Sequence, residues 1–291
     1  MNSTTKNYWC LSLDCIFVSD LHGNLKRFEK LFQIIEKEKP KAVFIGGDLL
    51  PNQFKINSSI NEFFEDNFFS KIRKLTYKPR FFMIFGNDDP RVFEEILIKA
   101  EKRGLIDYVH NKTVEFNDLF VTGYSYVPPT PFQLKDWEKY DTSRFVDVGA
   151  ISPEKGIRTV KEEPDEIKYS TISEDLDKLS KNAPVKKTIF LFHSPPYKTN
   201  LDRAAIDGKM LDHAPLDVNV GSIAIRRFIE KKHPFLTLHG HIHESVSLTG
   251  KWVEKFQKTY AFSAAHNGPE LAVVFFDTNC LEKANRELIN V

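Results

Sequence analysis

Five short polar clusters each follow an apolar run directly, and each holds side chains able to do chemistry. They are Ser19-Asp20-Leu21-His22-Gly23-Asn24, Gly46-Gly47-Asp48, Gly86-Asn87-Asp88-Asp89, His193-Ser194-Pro195-Pro196 and His239-Gly240-His241-Ile242-His243-Glu244. Carboxylates, imidazoles and an amide together suit borderline divalent metals such as Zn, Mn, Fe or Ni. Taken singly, the clusters say little. Asp-x-His recurs by chance, while Gly-Gly-Asp and Gly-Asn-Asp-Asp are good turn sequences. His193 before a Pro pair also fits a buried core histidine. Gly-His-x-His is more informative, because two imidazoles two residues apart at a strand end can point toward one site. The shared position carries the argument: all five close apolar strands, in one chain, with helices between.

Those strands and helices follow from periodicity. An apolar run predicts a strand over 14–19, and Leu25, Phe28, Leu31, Phe32 and Ile35 give helical spacing over 24–37. Strands are expected over 42–45 and 81–85, with helices within 60–75 and over 90–102, the latter led by Pro90. The alternation argues for a parallel sheet packed by helices. Ligands in such sheets bind at the carboxyl ends of the strands, so the five clusters would converge on one crevice. Short strands over 113–116 and 119–124 flank the turn Asn117-Asp118. Residues 125–187 then carry six prolines and many charges, with helical spacing only over 171–181. A stretch this long reads as a lid or binding loop, against a packed surface excursion. Tyr126, Phe132, Trp137 and Tyr140 argue against disorder there. Later strands are expected over 188–192, 235–238, 245–248, 259–263 and 271–277, with a helix over 223–232 capped by Ser222. No linker divides the chain, so one domain over 1–291 with a lid insert at 125–187 is expected.

Composition narrows the function classes. Across 291 residues, 41 Lys and Arg balance 40 Asp and Glu, for a net charge of +1. That excludes a strongly basic domain gripping nucleic acid by charge alone, and an acidic tail. No run approaches the roughly 18 apolar residues of a membrane span. A polar N-terminus and Asp14 within the stretch 8–18 argue against a cleavable signal peptide. Cys10, Cys15 and Cys280 form no Cys-x-x-Cys pair. They read as buried hydrophobes in a reduced, cytoplasmic compartment. The 25 phenylalanines supply core volume.

In order, Asp20-Leu21-His22, Gly47-Asp48, Gly86-Asn87-Asp88-Asp89, His193 and Gly240-His241-Ile242-His243 resemble the five motifs of the calcineurin-like metallophosphoesterases. The resemblance spans about residues 14–277, and the runs at 193–197 and 240–245 resemble the prokaryotic branch. It implies an α/β fold of two facing mixed β-sheets flanked by helices, a four-layer αββα sandwich. It also implies two divalent ions, drawn from Mn, Fe, Ni and Zn. By the resemblance Asp20, His22 and His243 bind one metal, Asn87, His193 and His241 the other, and Asp48 bridges both. The expected reaction is phosphoester hydrolysis by in-line attack of a hydroxide shared by the metals. Catalysis is expected at Asp48, Asn87, Asp88 and His22.

One position departs from the family pattern. Many members carry His directly after the motif Asn, for phosphate binding or leaving-group protonation, and here Asp88 stands there. An ionised Asp88 would repel a monoester, at about −1.5 to −2 charge, more than a diester at about −1. The expectation is therefore a phosphodiesterase, with Asp88 as a cap for the next helix as the competing reading. A phosphomonoesterase acting on nucleotides, sugar phosphates or phosphoproteins is the first alternative. A non-catalytic binding or scaffold module is the second. A small-molecule phosphoester is favoured over long nucleic acid, without membrane contact, and nothing fixes an oligomeric state. Secondary candidates are Arg203 as a phosphate clamp or a solvated arginine, His239 as a core residue or a support for a ligand, Glu244 as an orienter of an imidazole, and His266 as a plain loop histidine or a support. Tyr126 or Trp137 could stack on a base or pack in the core, Lys71, Arg73 and Lys74 read as a solvated helix face, and His110, His213 and His233 carry no role.

Overall fold

The computed structural model describes residues 14–51 and 59–291. Cys10 and most of the stretch 8–18 that bears on a signal peptide lie outside the described residues. Fourteen strands are described: β1 (Cys15–Val18), β2 (Ala42–Gly46), β3 (Arg80–Ile84), β4 (Asp107–Tyr108), β5 (Thr113–Phe116), β6 (Leu119–Tyr124), β7 (Thr188–Phe192), β8 (Met210–Leu211), β9 (Ala214–Pro215), β10 (Leu236–His239), β11 (Val253–Phe256), β12 (Thr259–Ser263), β13 (Leu271–Phe276) and β14 (Asn285–Ile289). Eight α-helices are found among the described residues: α1 (Leu25–Glu38), α2 (Ile60–Phe64), α3 (Ser70–Lys74), α4 (Glu94–Lys102), α5 (Pro164–Tyr169), α6 (Ile172–Asn182), α7 (Ile223–Lys232) and α8 (Ser245–Thr249).

Two six-stranded mixed sheets result. One runs β14-β13-β1-β2-β3-β4, with β1 to β4 parallel and β13 antiparallel to β1. The other runs β11-β12-β10-β7-β6-β5, parallel through β12, β10, β7 and β6. Period-2 alternation sorts the side chains into layers. Phe17, Phe44 and Phe82 of the first sheet pack against Val121, Leu191, Leu238 and Phe262 of the second. Their strand neighbours Ile16, Val18, Val43 and Met83 point outward onto Phe28, Leu31 and Phe32 of α1. Phe190 and Phe192 likewise meet Ile225, Phe228 and Ile229 of α7. The architecture is thus the helix–sheet–sheet–helix sandwich expected.

Some local expectations change. Residues 245–248 alternate polar and apolar but form α8 in place of a strand. Gly250 closes it at φ 69°, and the hydroxyls of Ser247 and Thr249 donate to the carbonyls of Glu244 and Ser245. The helix within 60–75 is interrupted by a π turn over Glu65–Phe69. The wider turn fits the five-residue step from Phe64 to Phe69, whose rings stack at 5.5 Å. The turn after Pro90 is a 3₁₀ turn leading into α4. Strands β4, β11 and β14 and helix α5 escape periodicity because they are short or carry mixed faces. Among the described residues no helix is long and apolar enough to cross a membrane. Cys15 and Cys280 are buried.

Buried carboxylates pin residues 125–187 to the sandwich. Asp141 accepts hydrogen bonds from the backbone N–H groups of Ile223 and Ala224 and the Ser222 hydroxyl at the start of α7. Asp136 accepts from the N–H groups of Arg91 and Thr159. Trp137 is buried, and its Nε1–H donates to the Asp89 carbonyl at 2.7 Å. His110 packs 4.9 Å from the Trp137 ring, and burial pushes its pKa down to about 3. The Glu138 carboxylate accepts from Lys135 Nζ and from the Thr130 N–H and hydroxyl, with both charged side chains fully buried. Glu138→Ala leaves an ammonium buried without its counter-charge, and the expected loss is about 3–5 kcal/mol in urea unfolding. The double variant Glu138→Leu with Lys135→Met should lose less than the single one. A single-variant loss below about 1 kcal/mol would contradict this account of the pair.

Candidate metal centre

The five polar clusters occupy the carboxyl ends of β1, β2 and β3 in one sheet and β7 and β10 in the other. Backbone bonds register them: Asp20 N–H donates to the Gly47 carbonyl, His22 N–H to the Asp48 carbonyl, and Gly240 N–H to the His193 carbonyl. The His241 N–H reaches the Asp20 carboxylate at 3.1 Å and ties the two sheets together. Asp20, His22, Asp48 and His241 all have left-handed φ, at 57°, 45°, 52° and 73°. Asp and His tolerate that region better than most residues, and four such positions in one cluster mark a constrained site. Gly86 is required by close approach. A Cβ there would fall on Asp48 Oδ1 and lie 2.6 Å from His193 Cε1.

Two groups of donor atoms form. Asp20, His22, Asp48 and His243 each offer an atom within 4.8 Å of the others, as do Asp48, His193 and His241. Asp48 is common to both. His22 Nε2 and His243 Nε2 face each other at 3.1 Å, and His243 Nε2 lies 3.4 Å from Asp20 Oδ1. His193 Nε2 lies 3.0 Å from Asn87 Oδ1 and 3.3 Å from Asp48 Oδ2. The Gly46 carbonyl, 2.7 Å from His193 Nδ1, holds a proton on that nitrogen and leaves the Nε2 lone pair aimed at the cluster. Asp20 Oδ2 is buried with no hydrogen-bond partner. An orphaned carboxylate oxygen, converging imidazole nitrogens and a shared carboxylate are the donor set that divalent cations satisfy.

Without cations the cluster balances its own charge. Burial alone would raise the Asp48 carboxyl, but His193 and His22 hold it far below the usual carboxylate range. Burial likewise opposes the Asp20 carboxylate, which the hydrogen bond and charge of His243 hold low. Burial opposes the imidazolium forms too, yet Asp48 raises His193 to about 10 and Asp20 raises His243 to about 9. His241, buried beside the charge of His193, is pushed down to about 3. Asp88 is pushed up to about 6, first by the charge of Asp48 and then by burial. Bound cations would reverse the proton preference of these groups.

Asp88 does not cap the following helix. Its Oδ1 accepts from Asn87 Nδ2 at 2.9 Å, its Oδ2 lies 3.8 Å from His22 Nδ1, and half of the side chain is exposed. The next turn begins at Pro90 with no side-chain cap. Asp88 therefore stands at the mouth of the cluster. Asp89, given no role by its sequence context, is fully buried. It accepts from the N–H groups of Leu49, Leu50 and Gly86, and so fixes the Asp48 loop to the Asn87 loop. Arg27 was not legible as a site residue either. Its guanidinium donates to the carbonyls of Asp20 and Gly268. Both act through long-range backbone contacts, which leave no local signal in the chain.

The secondary candidates divide. Nδ1 of His239 bonds the Ser194 carbonyl within the core, and its pKa is pushed down to about 4 by burial. Glu244 accepts from the Ala205 N–H, and His266 pairs with Glu270. Arg203 pairs with Asp207, and Arg73 of α3 with Glu65. Tyr126 and Trp137 are buried in the core and present no stacking face.

Comparison with known proteins bears on the family and the fold. The family model described as calcineurin-like phosphoesterase matches residues 14–245. No curated protein matches the chain. Among solved structures, one from Thermus thermophilus, TT1561, aligns with TM-score 0.55 at 16% identity, covering 94% of this chain and 97% of its own. A dimetal phosphatase from Danio rerio aligns with TM-score 0.51 at 10% identity, covering 90% and 92%. At these identities the likeness concerns the fold.

Proposed function

The chain belongs to the calcineurin-like phosphoesterase family, and on that premise we propose that it is a phosphodiesterase dependent on two divalent ions. The observation that carries the reading is the Asp48 carboxylate, shared by two groups of converging donors. Asp20, His22 and His243 would hold one ion and Asn87, His193 and His241 the other, with Asp48 common to both groups. When bound, the ions supply Lewis acidity and a water that ionises near neutral pH. Mn, Fe, Ni and Zn all suit this mixed oxygen and nitrogen set.

The chain's own residues do the rest. Gly46 orients the His193 ring, and Asp88 N–H donates to Asp48 Oδ1 at 2.9 Å, fixing the plane of the shared carboxylate. Asn87 donates through its amide to Asp88 and keeps that carboxylate at the mouth. A fixed negative charge there disfavours a dianionic monoester more than a monoanionic diester. Residues 125–187 serve as an insert over the site within a single domain. The protein works in the cytoplasm on a small phosphoester.

The test is a paired assay on metal-stripped protein reloaded with Mn²⁺, Ni²⁺ or Zn²⁺. Bis(p-nitrophenyl) phosphate should turn over faster than p-nitrophenyl phosphate. Asp88→His should shift the diester-to-monoester ratio toward the monoester by about tenfold, the worth of removing one charge a few ångströms away. An unchanged ratio would remove the specificity argument, and faster turnover of the monoester by the unaltered protein would favour the monoesterase. Silence on both substrates with metal bound would favour a binding module.

A further inference from the structure

A cavity of about 370 Å³ opens directly onto Asp48, Asn87, Asp88, His241 and His243. That is the size of a small-ligand pocket. Two segments outside the five clusters build its walls. Pro128, Pro131, Val148 and Ala150 come from the 125–187 segment, and Ile206 and Leu216 from the connection between β7 and α7. The walls meet where Gly149 abuts the β8–β9 hairpin. A Cβ at Gly149 would lie 3.4 Å from Leu216 Cδ2 and 3.9 Å from Leu211 Cδ2. Phe132, Val148 and Leu211 keep large apolar surface exposed around this region.

Away from Asp48, His241 and His243 of the metal centre, the charge of the cavity is one-sided. Asp88, Asp147, Asp217 and Glu244 line it, and no Lys or Arg does among the described residues. Arg203, adjoining the lining residue Ala204, is already paired with Asp207. Phosphate recognition normally recruits Arg or Lys forks. A wall without them, carrying four carboxylates, is unsuited to a second phosphate. The walls are held by built contacts. Asp202 accepts from the N–H groups of Lys198, Thr199 and Gly221 and from the Asn219 amide, while Glu138 anchors Thr130.

We infer that this cavity is the specificity pocket for the organic group of the phosphoester, and that it selects an apolar group that is uncharged or carries a positive end. Nucleotides with further phosphates and polyphosphorylated sugars are excluded by the same carboxylates. The inference rests on the phosphoesterase reading for where the phosphate sits.

The test separates the two. Methyl-, hexyl-, 6-aminohexyl- and 5-carboxypentylphosphonate, none of which can be hydrolysed, are titrated calorimetrically into the Mn²⁺-loaded protein. Each methylene withdrawn from water strengthens binding about fourfold. Hexylphosphonate should therefore bind at least tenfold tighter than methylphosphonate. The aminohexyl compound should stay within about threefold of hexyl, and the carboxypentyl compound should lose at least about tenfold. Val148→Glu should reduce the hexyl-to-methyl ratio, and Asp147→Asn with Asp217→Asn should recover the carboxypentyl compound. Equal affinity for methyl and hexyl, or tighter binding of the carboxypentyl compound, overturns the inference even if diesters are hydrolysed. A strong hexyl preference in a protein that hydrolyses no phosphoester upholds the pocket and overturns the phosphoesterase reading.

Discussion

Asp48→Asn should lower metal-dependent diester hydrolysis by about 10³-fold or more, with the fold intact. The substitution is nearly isosteric. Asn keeps one oxygen able to accept the Asp88 N–H, which lies 2.9 Å from Asp48 Oδ1, so the backbone contact survives. It replaces the other oxygen, 3.3 Å from His193 Nε2, by an amide nitrogen that cannot ligate a cation. Asp48 is the one residue common to both donor groups. That oxygen faces His22 and His193, one from each group, so the substitution would weaken ligation and remove the negative charge shared by both ions. The estimate follows from losing preorganised electrostatic stabilisation together with the ionised water that two ions make available. Total metal by elemental analysis, activity on bis(p-nitrophenyl) phosphate and far-UV circular dichroism would be measured together. Retention of more than a tenth of the activity with metal still bound would sink the bridging role.

Divalent metal should raise the unfolding midpoint strongly, and chelation should reverse the effect. Asp20 and Asp48 are 1% and 2% exposed, and one Asp20 oxygen has no partner. Four of the proposed ligands hold left-handed φ. The native site thus bears strain and unmet polar demand that cations can offset, while the unfolded chain offers no comparable site. At about 1,000-fold excess over Kd the stabilisation is about 4 kcal/mol per site, or roughly 10 °C in a chain of this size.

The pH dependence has a definite sign. In the ion-free protein His193 and His243 are raised to about 10 and about 9. Their protons stabilise that state fully below an unfolded value of about 6.5, and the contribution is lost as pH rises through about 9. Cations need those same lone pairs. Binding therefore displaces protons, and metal affinity weakens by about tenfold per displaced proton for each unit that pH falls. The metal-induced shift should shrink from pH 8 to pH 6. Thermal scans across Mn²⁺ concentration at each pH would show it, and a midpoint indifferent to metal and chelator at pH 8 would contradict the site.

Most of the candidate site is legible in the sequence because its signals are local. Asp20, His22, Asp48, Asn87, His193, His241 and His243 each stand within a few residues of the end of an apolar strand. In a parallel sheet the position after the strand is the position at the crevice. The order of strands and helices likewise announces itself through period 2 and period 3.6, as in Phe17 against Ile16 and Val18, or Phe28, Leu31 and Phe32 along α1. The departure at Asp88 is visible as a residue type alone.

Other features had no such signal. Residues 245–248 carry a strand-like alternation that Gly250 and two side-chain hydroxyls turn into a helix. Asp89 and Arg27 matter through carbonyls and N–H groups that come from up to 241 positions away. Residue type leaves open which way Asp88 turns, and its carboxylate lies beside His22 rather than on the next helix. The cavity walls at Pro128, Val148, Ile206 and Leu216 come from segments without periodicity. The layered fold, the family and the residue types at the strand ends are all written in the chain, because short-range hydrophobic patterning encodes strand, helix and turn. Folding alone makes Asp48 common to two donor groups, turns Asp88 to the mouth, and gives the adjoining cavity its apolar and acidic walls. Those properties depend on distances between segments far apart in the chain, which packing sets and no local pattern records.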